Sequence, residues 1–176
     1  MTPKTRWFLA LCPLLVGFDF WSKEAARVLA MHETVSVIPG WFAFTHAENP
    51  YVAFSMPIPY AVIVAFAVVG VAVLVHHLSR LEPTARLQAA GLAMMTAGAF
   101  GNLIDRLADG TVTDMFMLYS DHATLGPWLR STFGTNVWPI FNVADVALLV
   151  GVGAYLIGHA TEPEIDVALS DDALDA

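Results

Sequence analysis

Cysteine occurs once in this chain, as Cys12 inside an apolar run, so no internal disulfide and no cysteine-based metal site can form. Charge is also scarce: Asp, Glu, Lys and Arg make up only 14% of 176 residues, while 57% are hydrophobic. That balance lies outside the range of ordinary soluble domains and describes one small membrane domain. The formal net charge of −8 overstates the acidity, because Glu162, Glu164, Asp166, Asp171, Asp172 and Asp175 all fall in the last fifteen residues. The body before them is nearly balanced, which argues against nucleic-acid binding. His46, His76 and His77 lack metal-ligand spacing, and the serines Ser22 and Ser55 have no evident base. Metal-dependent and serine- or cysteine-based hydrolysis are therefore disfavoured, and no cofactor is expected.

What is present is a series of apolar runs long enough to cross a bilayer, which needs roughly 20 residues in a helix. A short basic start is followed by Trp7 to Phe18, and the pattern continues past Asp19, Trp21 and Lys23 without a small-x-small cleavage site, so a retained span over about 7–30 is expected, with Pro13 a possible kink point. Residues 56–75 carry no charge and make the clearest span. A third, 87–104, is rich in Gly and Ala, which lets helices approach closely, and should pack centrally. The fourth, 137–158, is broken by a single charge, Asp145. Between the first two spans, VSVIPGWFAFTH reads as strand, Pro39-Gly40 turn, strand, with Trp41 and Phe42 suited to the membrane interface. The connection 115–139, with Trp128, Arg130, Phe133 and Trp138, suits an interfacial helix, and the acidic segment 161–176 has the composition of a disordered tail. The expected fold is an all-α membrane protein of four transmembrane helices with a small extracytoplasmic β-hairpin or sheet and an interfacial helix. Lys4, Arg6, Arg80 and Arg86 lie in short segments and place both termini in the cytoplasm.

On that orientation the polar residues Asp19, Lys23, Asn49, Asn102, Asp105, Asp114, Asn142 and Asp145 gather at the outer face, where ionisable groups at membrane depth are costly. Asn102 and Asp105 share their three-residue spacing with Asn142 and Asp145. Asn142 and Asp145 fit a helix cap as well as an active site, although the apolar neighbours Val143, Ala144, Val146 and Ala147 should desolvate the carboxylate. Asp114 interrupts an extended apolar run and reads equally as a turn residue or a site residue. Asp105 beside Arg106 reads as scaffold, held ionised by the adjacent cation. Asp19 and Lys23, four apart, form either a local ion pair with a snorkelling lysine or part of the site. Two carboxylates at a cavity lip can share one proton, the ionised member activating water and the protonated one polarising a carbonyl. The rival is a small proton-coupled transporter or channel subunit using a carboxylate relay, disfavoured by the uncharged middle of the spans.

Five stretches also carry a resemblance: Asp19 to Lys23 (DFWSK), Asn49 to Ser55 (NPYVAFS), Gly101 to Arg106 (GNLIDR), Val112-Thr113-Asp114, and Phe141 to Asp145 (FNVAD). In this order they resemble bacterial lipoprotein signal peptidase, signal peptidase II, over about residues 7–158. The resemblance implies an inner-membrane aspartic endopeptidase that removes the signal peptide from prolipoproteins, cutting before the diacylglyceryl-modified cysteine. It puts the catalytic pair on Asp114 and Asp145 and supporting roles on Asp19, Lys23, Asn49, Asn102, Asp105, Arg106 and Asn142. Its partners would be lipidated prolipoproteins and membrane lipids, with the enzyme a monomer. Three features depart from the family: Tyr51 stands where it usually has Gly, the 115–139 connection is long, and the tail is acidic.

Overall fold

The computed structural model describes residues 1–50 and 58–161. Tyr51, the first residues of the second expected span and the acidic tail from 162 lie outside the described residues. The element order is α1 (Pro3–Ala26), β1 (Thr34–Ile38), β2 (Phe42–Asn49), α2 (Tyr60–Arg80), α3 (Arg86–Asp109), β3 (Val112–Leu118), α4 (Leu125–Phe133) and α5 (Val143–Thr161).

Helix α1 starts four residues earlier than the 7–30 expectation, because Thr2 caps it and Pro3 occupies the first turn, where a missing N–H costs nothing. It stops at Ala26, and Pro13 lies within a continuous helix. The fourth apolar run divides. Residues before Asn142 are extended against β3, with Trp138 N–H donating to Leu118 O at 2.8 Å and Phe116 N–H to Phe141 O at 2.8 Å. Pro139 explains the split, since it biases the residue before it out of the helical region and offers no N–H of its own. The helix therefore begins at Val143 rather than 137.

Among the described residues three helices, α2, α3 and α5, are long and apolar enough to cross a membrane. Helix α3 is the hub: it packs against α5 and α1 and, less extensively, against α2. Close approach of α3 and α5 rests on Gly91 and Gly151, which face each other. A methyl group on Gly91 would lie 2.6 Å from Tyr155 N, and one on Gly151 would lie 2.7 Å from Gly91 O. Helix α2 is uncharged in its middle and buries only Ile63, leaving Phe66, Val69 and Val73 on an outward apolar surface.

The hairpin expected over 33–54 is present as β1 and β2, but β3 completes it into an antiparallel sheet of order β1-β2-β3. Asp114 is consequently a mid-strand residue, not a turn aspartate. Between β2 and β3 the register runs Phe44 with Phe116 and then Ala47 with Asp114, so Thr45 and His46 form a bulge. Phe42, Phe44, Phe116 and Phe141 cluster over this part of the sheet, with ring centroids 5.2–6.3 Å apart. Helix α4 lies in the 115–139 connection and carries the exposed Trp128.

Candidate active site

The polar residues converge where the ends of α1 and α3, the start of α5 and strands β2 and β3 meet. Asn142 precedes α5 and satisfies its first turn reciprocally: Asp145 N–H donates to Asn142 Oδ1 at 2.9 Å, and Asn142 N–H donates to Asp145 Oδ2 at 3.2 Å. This is the geometry of a capping box. The capping reading of the two residues thus holds, and it does not exclude chemistry, because both reach further. Asn142 Nδ2 also donates to Asp114 Oδ1 at 2.8 Å and to Asn102 Oδ1 at 3.1 Å, while Asn102 Nδ2 donates to Asp145 Oδ1 at 2.9 Å. Two carboxamides therefore link Asp114 on the sheet to Asp145 on the helix. Asn49 closes the other side, its Nδ2 donating to Asp114 Oδ2 at 3.1 Å.

Beneath this layer lies an ion cluster. Lys23, 1% exposed, meets Asp19 at 2.7 Å and Asp105 at 2.9 Å, and its third donor goes to Asn102 Oδ1 at 3.1 Å. Three ammonium hydrogens thus find three acceptors, as a buried cation requires. The snorkelling reading of Lys23 is corrected: Asp19 and Asp105 together outweigh the attraction of water. Asp105 makes its direct ion pair with Lys23, which comes from the facing helix, while the adjacent Arg106, pointing about 100° away, attracts Asp105 at longer range as it does Asp145 and Asp114. Arg106 itself donates to Asn102 O at 3.3 Å, and its backbone carbonyl accepts the Tyr60 hydroxyl of α2. Asp19 also accepts Ala144 N–H at 2.9 Å, capping the start of α5 from a different helix.

Asp114 is 3% exposed, whereas Asp145 is half-buried. Burial pushes the Asp114 carboxyl up to about 7; the nearby charge of Asp145 adds to the rise, against the pull of the Asn49 and Asn142 amides and of Lys23. Among the described residues no group of three or more His, Cys, Asp or Glu side chains could hold a metal ion. All the residues singled out from the sequence take part in this one network. Sequence reasoning gave no role to Thr113, whose N–H donates to Asp105 Oδ2 at 3.2 Å, and missed Glu48 and Arg27 behind it. The period-2 alternation that would have separated the two faces of β3 was obscured by its mixed composition.

A predominantly helical chain with apolar membrane-length helices, a small sheet and two amide-bridged carboxylates is a membrane protein with a built carboxylate site. It belongs to the signal peptidase II family, whose profile, described as Signal peptidase (SPase) II, matches residues 11–161. Curated relatives named lipoprotein signal peptidase include those of Chlorobium luteolum, 36% identical over 83% of this chain and 86% of the relative, and Chlorobium phaeobacteroides, 30% identical over 89% and 91%. Another, from Geobacter metallireducens, is 33% identical over 86% and 89%. A solved structure described as a bacterial membrane enzyme shares the fold at TM-score 0.70, with 22% identity, covering 90% of this chain and 93% of that one. The transporter reading of the carboxylates is not supported by these relationships.

Proposed function

We propose that this protein removes signal peptides from prolipoproteins as an aspartic endopeptidase, with Asp114 and Asp145 as the catalytic pair. The observation that carries the assignment is the amide bridge: carboxylates from a strand and a helix are held in one network by Asn102 and Asn142. Asp114, buried and tending to keep its proton near neutrality, hydrogen-bonds the scissile carbonyl. Asp145, half-exposed at the first turn of α5 where the helix dipole favours negative charge, takes a proton from the attacking water. The water oxygen bonds to the carbonyl carbon as Asp114 passes its proton to the carbonyl oxygen. Collapse of the tetrahedral intermediate breaks the C–N bond, the leaving nitrogen taking the proton from Asp145 and Asp114 recovering its own. Asn49, Asn102 and Asn142 orient the carboxylates, while Asp19, Lys23, Asp105 and Arg106 hold the ends of the helices that carry them.

In this reading α1 joins α2, α3 and α5 as a fourth span, with its charged pair buried against α3 instead of facing lipid. Both termini face the cytoplasm, and the sheet and the interfacial helix α4 lie at the extracytoplasmic surface of the bacterial inner membrane. The substrate is a prolipoprotein whose cysteine bears a diacylglyceryl group, cleaved before that cysteine by a monomeric enzyme. The test is cleavage of a purified diacylglyceryl-modified prolipoprotein by purified protein. Asp114→Asn and Asp145→Asn should each lower turnover by at least about 10²-fold, the lower end of general acid–base contributions. Near wild-type turnover in either folded variant contradicts the assignment.

A further inference from the structure

The face of β3 turned away from Asp114 carries a polar cluster that the reaction above does not use. Pairing of Glu48 with Thr113 and of Ala47 with Asp114 puts Thr111, Thr113 and Glu48 on one face of the sheet, and Asp114, Ala47 and Asn49 on the other. On the far face the fully buried Thr113 hydroxyl donates to Glu48 Oε1 at 3.0 Å and accepts from Arg27 Nε at 3.1 Å and Nη2 at 2.9 Å. One hydrogen and two lone pairs are thereby all used. Glu48 also takes the Thr111 hydroxyl on Oε2 at 2.5 Å and lies 3.1 Å from His46 Nε2. Arg27, just beyond α1, reaches Glu24 at 2.6 Å and Asp109 at the end of α3 at 2.8 Å. Thr113 is therefore gripped from β2 and from a cation anchored at the ends of two helices.

We propose that Glu48 and Arg27 are positioning residues for catalysis, holding Thr113 from behind so that Asp114 faces Asp145. This rests on the pairing of Asp114 with Asp145 as the catalytic groups. Side chains alternate along a strand, so a slip of one residue would turn Asp114 to the far face and Thr113 into the site. The pairs from Phe42 to Phe44 hold β3 on one side of the bulge, and beyond it only those from Ala47 to Asn49 hold the end that carries Asp114, so side-chain contacts there add to the register. Backbone hydrogen bonding alone does not distinguish adjacent registers, whereas the Thr113 hydroxyl meets Glu48 and Arg27 in one register only. Burial works to raise the Glu48 carboxyl, yet the Thr111 hydroxyl, His46, the Thr113 hydroxyl and Arg27 hold it below its ordinary range, so it stays an acceptor. The Arg27 ion pairs to Glu24 and Asp109 are partly exposed, and pairs of that kind contribute little to stability, so the cluster acts on geometry.

The experiment measures kcat and KM in proteoliposomes on a diacylglyceryl-modified prolipoprotein, per unit of folded enzyme, for Glu48→Ala, Glu48→Gln, Thr113→Val and Thr113→Ser beside Asp114→Asn. A misplacement of about 1 Å costs on the order of 10² in rate. Glu48→Ala and Thr113→Val should therefore lower kcat by about tenfold or more with KM unchanged. Glu48→Gln, which keeps an acceptor, and Thr113→Ser, which keeps the hydroxyl, should stay within about threefold of wild type on the same scale. If the Ala and Val variants turn over like wild type while Asp114→Asn is inactive, positioning fails and the catalytic pair stands. Equal losses in the Gln and Ser variants also overturn it, because the hydrogen bonds would then not be what matters. Turnover by Asp114→Asn itself would remove the pair, and the positioning role with it.

Discussion

Asp114 and Asp145 are chemically identical side chains whose surroundings separate them. Asp114 sits on a strand among donors that it cannot share with water, whereas Asp145 heads a helix and retains partial access to solvent. Because burial raises the Asp114 carboxyl to about 7, the folded protein holds a proton that an unfolded chain releases near the ordinary carboxylate value. Between those two values stability falls as pH rises, the reverse of the usual salt-bridged aspartate. Thermal midpoints measured across that window should decline with pH, and the slope should be shallower in Asp114→Asn. Activity should likewise fall as pH rises through about 7, where the pair loses its shared proton; a flat rate profile there contradicts proton sharing. Lys23 acts on stability instead. Lys23→Met leaves Asp19 and Asp105 buried without their cation, and removing one partner of such a cluster costs about 3–5 kcal/mol. Denaturant unfolding in detergent should show that loss, and an unchanged midpoint would mean that the cluster is not an ionic one.

At the scale of elements, the site depends on how closely α3 and α5 approach, since Asn102 is on one and Asp145 on the other. Gly91 and Gly151 set that distance through close approach to backbone atoms of the facing helix, which cannot move aside as the Met95 side chain beside Gly151 can. Gly151→Ala should cost about 1–3 kcal/mol by overpacking and lower activity by displacing Asp145 from Asn102. Retained stability and retained kcat together in this variant would show that the helices tolerate separation. The sheet contributes the other half of the site: β3 presents Asp114 from outside the helical body, and the bulge at Thr45 and His46 keeps Phe44, Ala47 and Asn49 on the face that Asp114 shares.

For the whole molecule, on the proposed orientation in the membrane, apolar surfaces on α2, α3 and α5 and exposed tryptophans at Trp41, Trp128 and Trp138 would set the depth at which the carboxylates sit. A substrate must bring its scissile bond to the same depth. Each buried CH₂ adds about 0.8 kcal/mol of membrane anchoring, so two acyl chains anchor a modified cysteine stably at the interface. Cleavage of a prolipoprotein lacking the lipid should therefore be much slower than that of the lipidated form in the same vesicles. Equal initial rates would show that lipid positioning plays no part in recognition.

Composition and periodicity by themselves determined that the chain is a membrane protein, where its apolar runs lie, and which polar residues are too costly to be incidental. Transfer free energies along a chain are local quantities, and five short stretches in order were enough to indicate the family. Helix ends were less legible, as at Ala26 and Val143, because caps and the pairing of residues 137–141 with β3 decided them. Partners were the least legible of all. That Lys23 meets Asp105, that Asn142 spans from a helix cap to Asp114, and that Glu48 meets Thr113 follow only from tertiary structure. A hydrogen bond depends on distance and direction between groups far apart in sequence, and no spacing along the chain encodes these until helices and strands have packed.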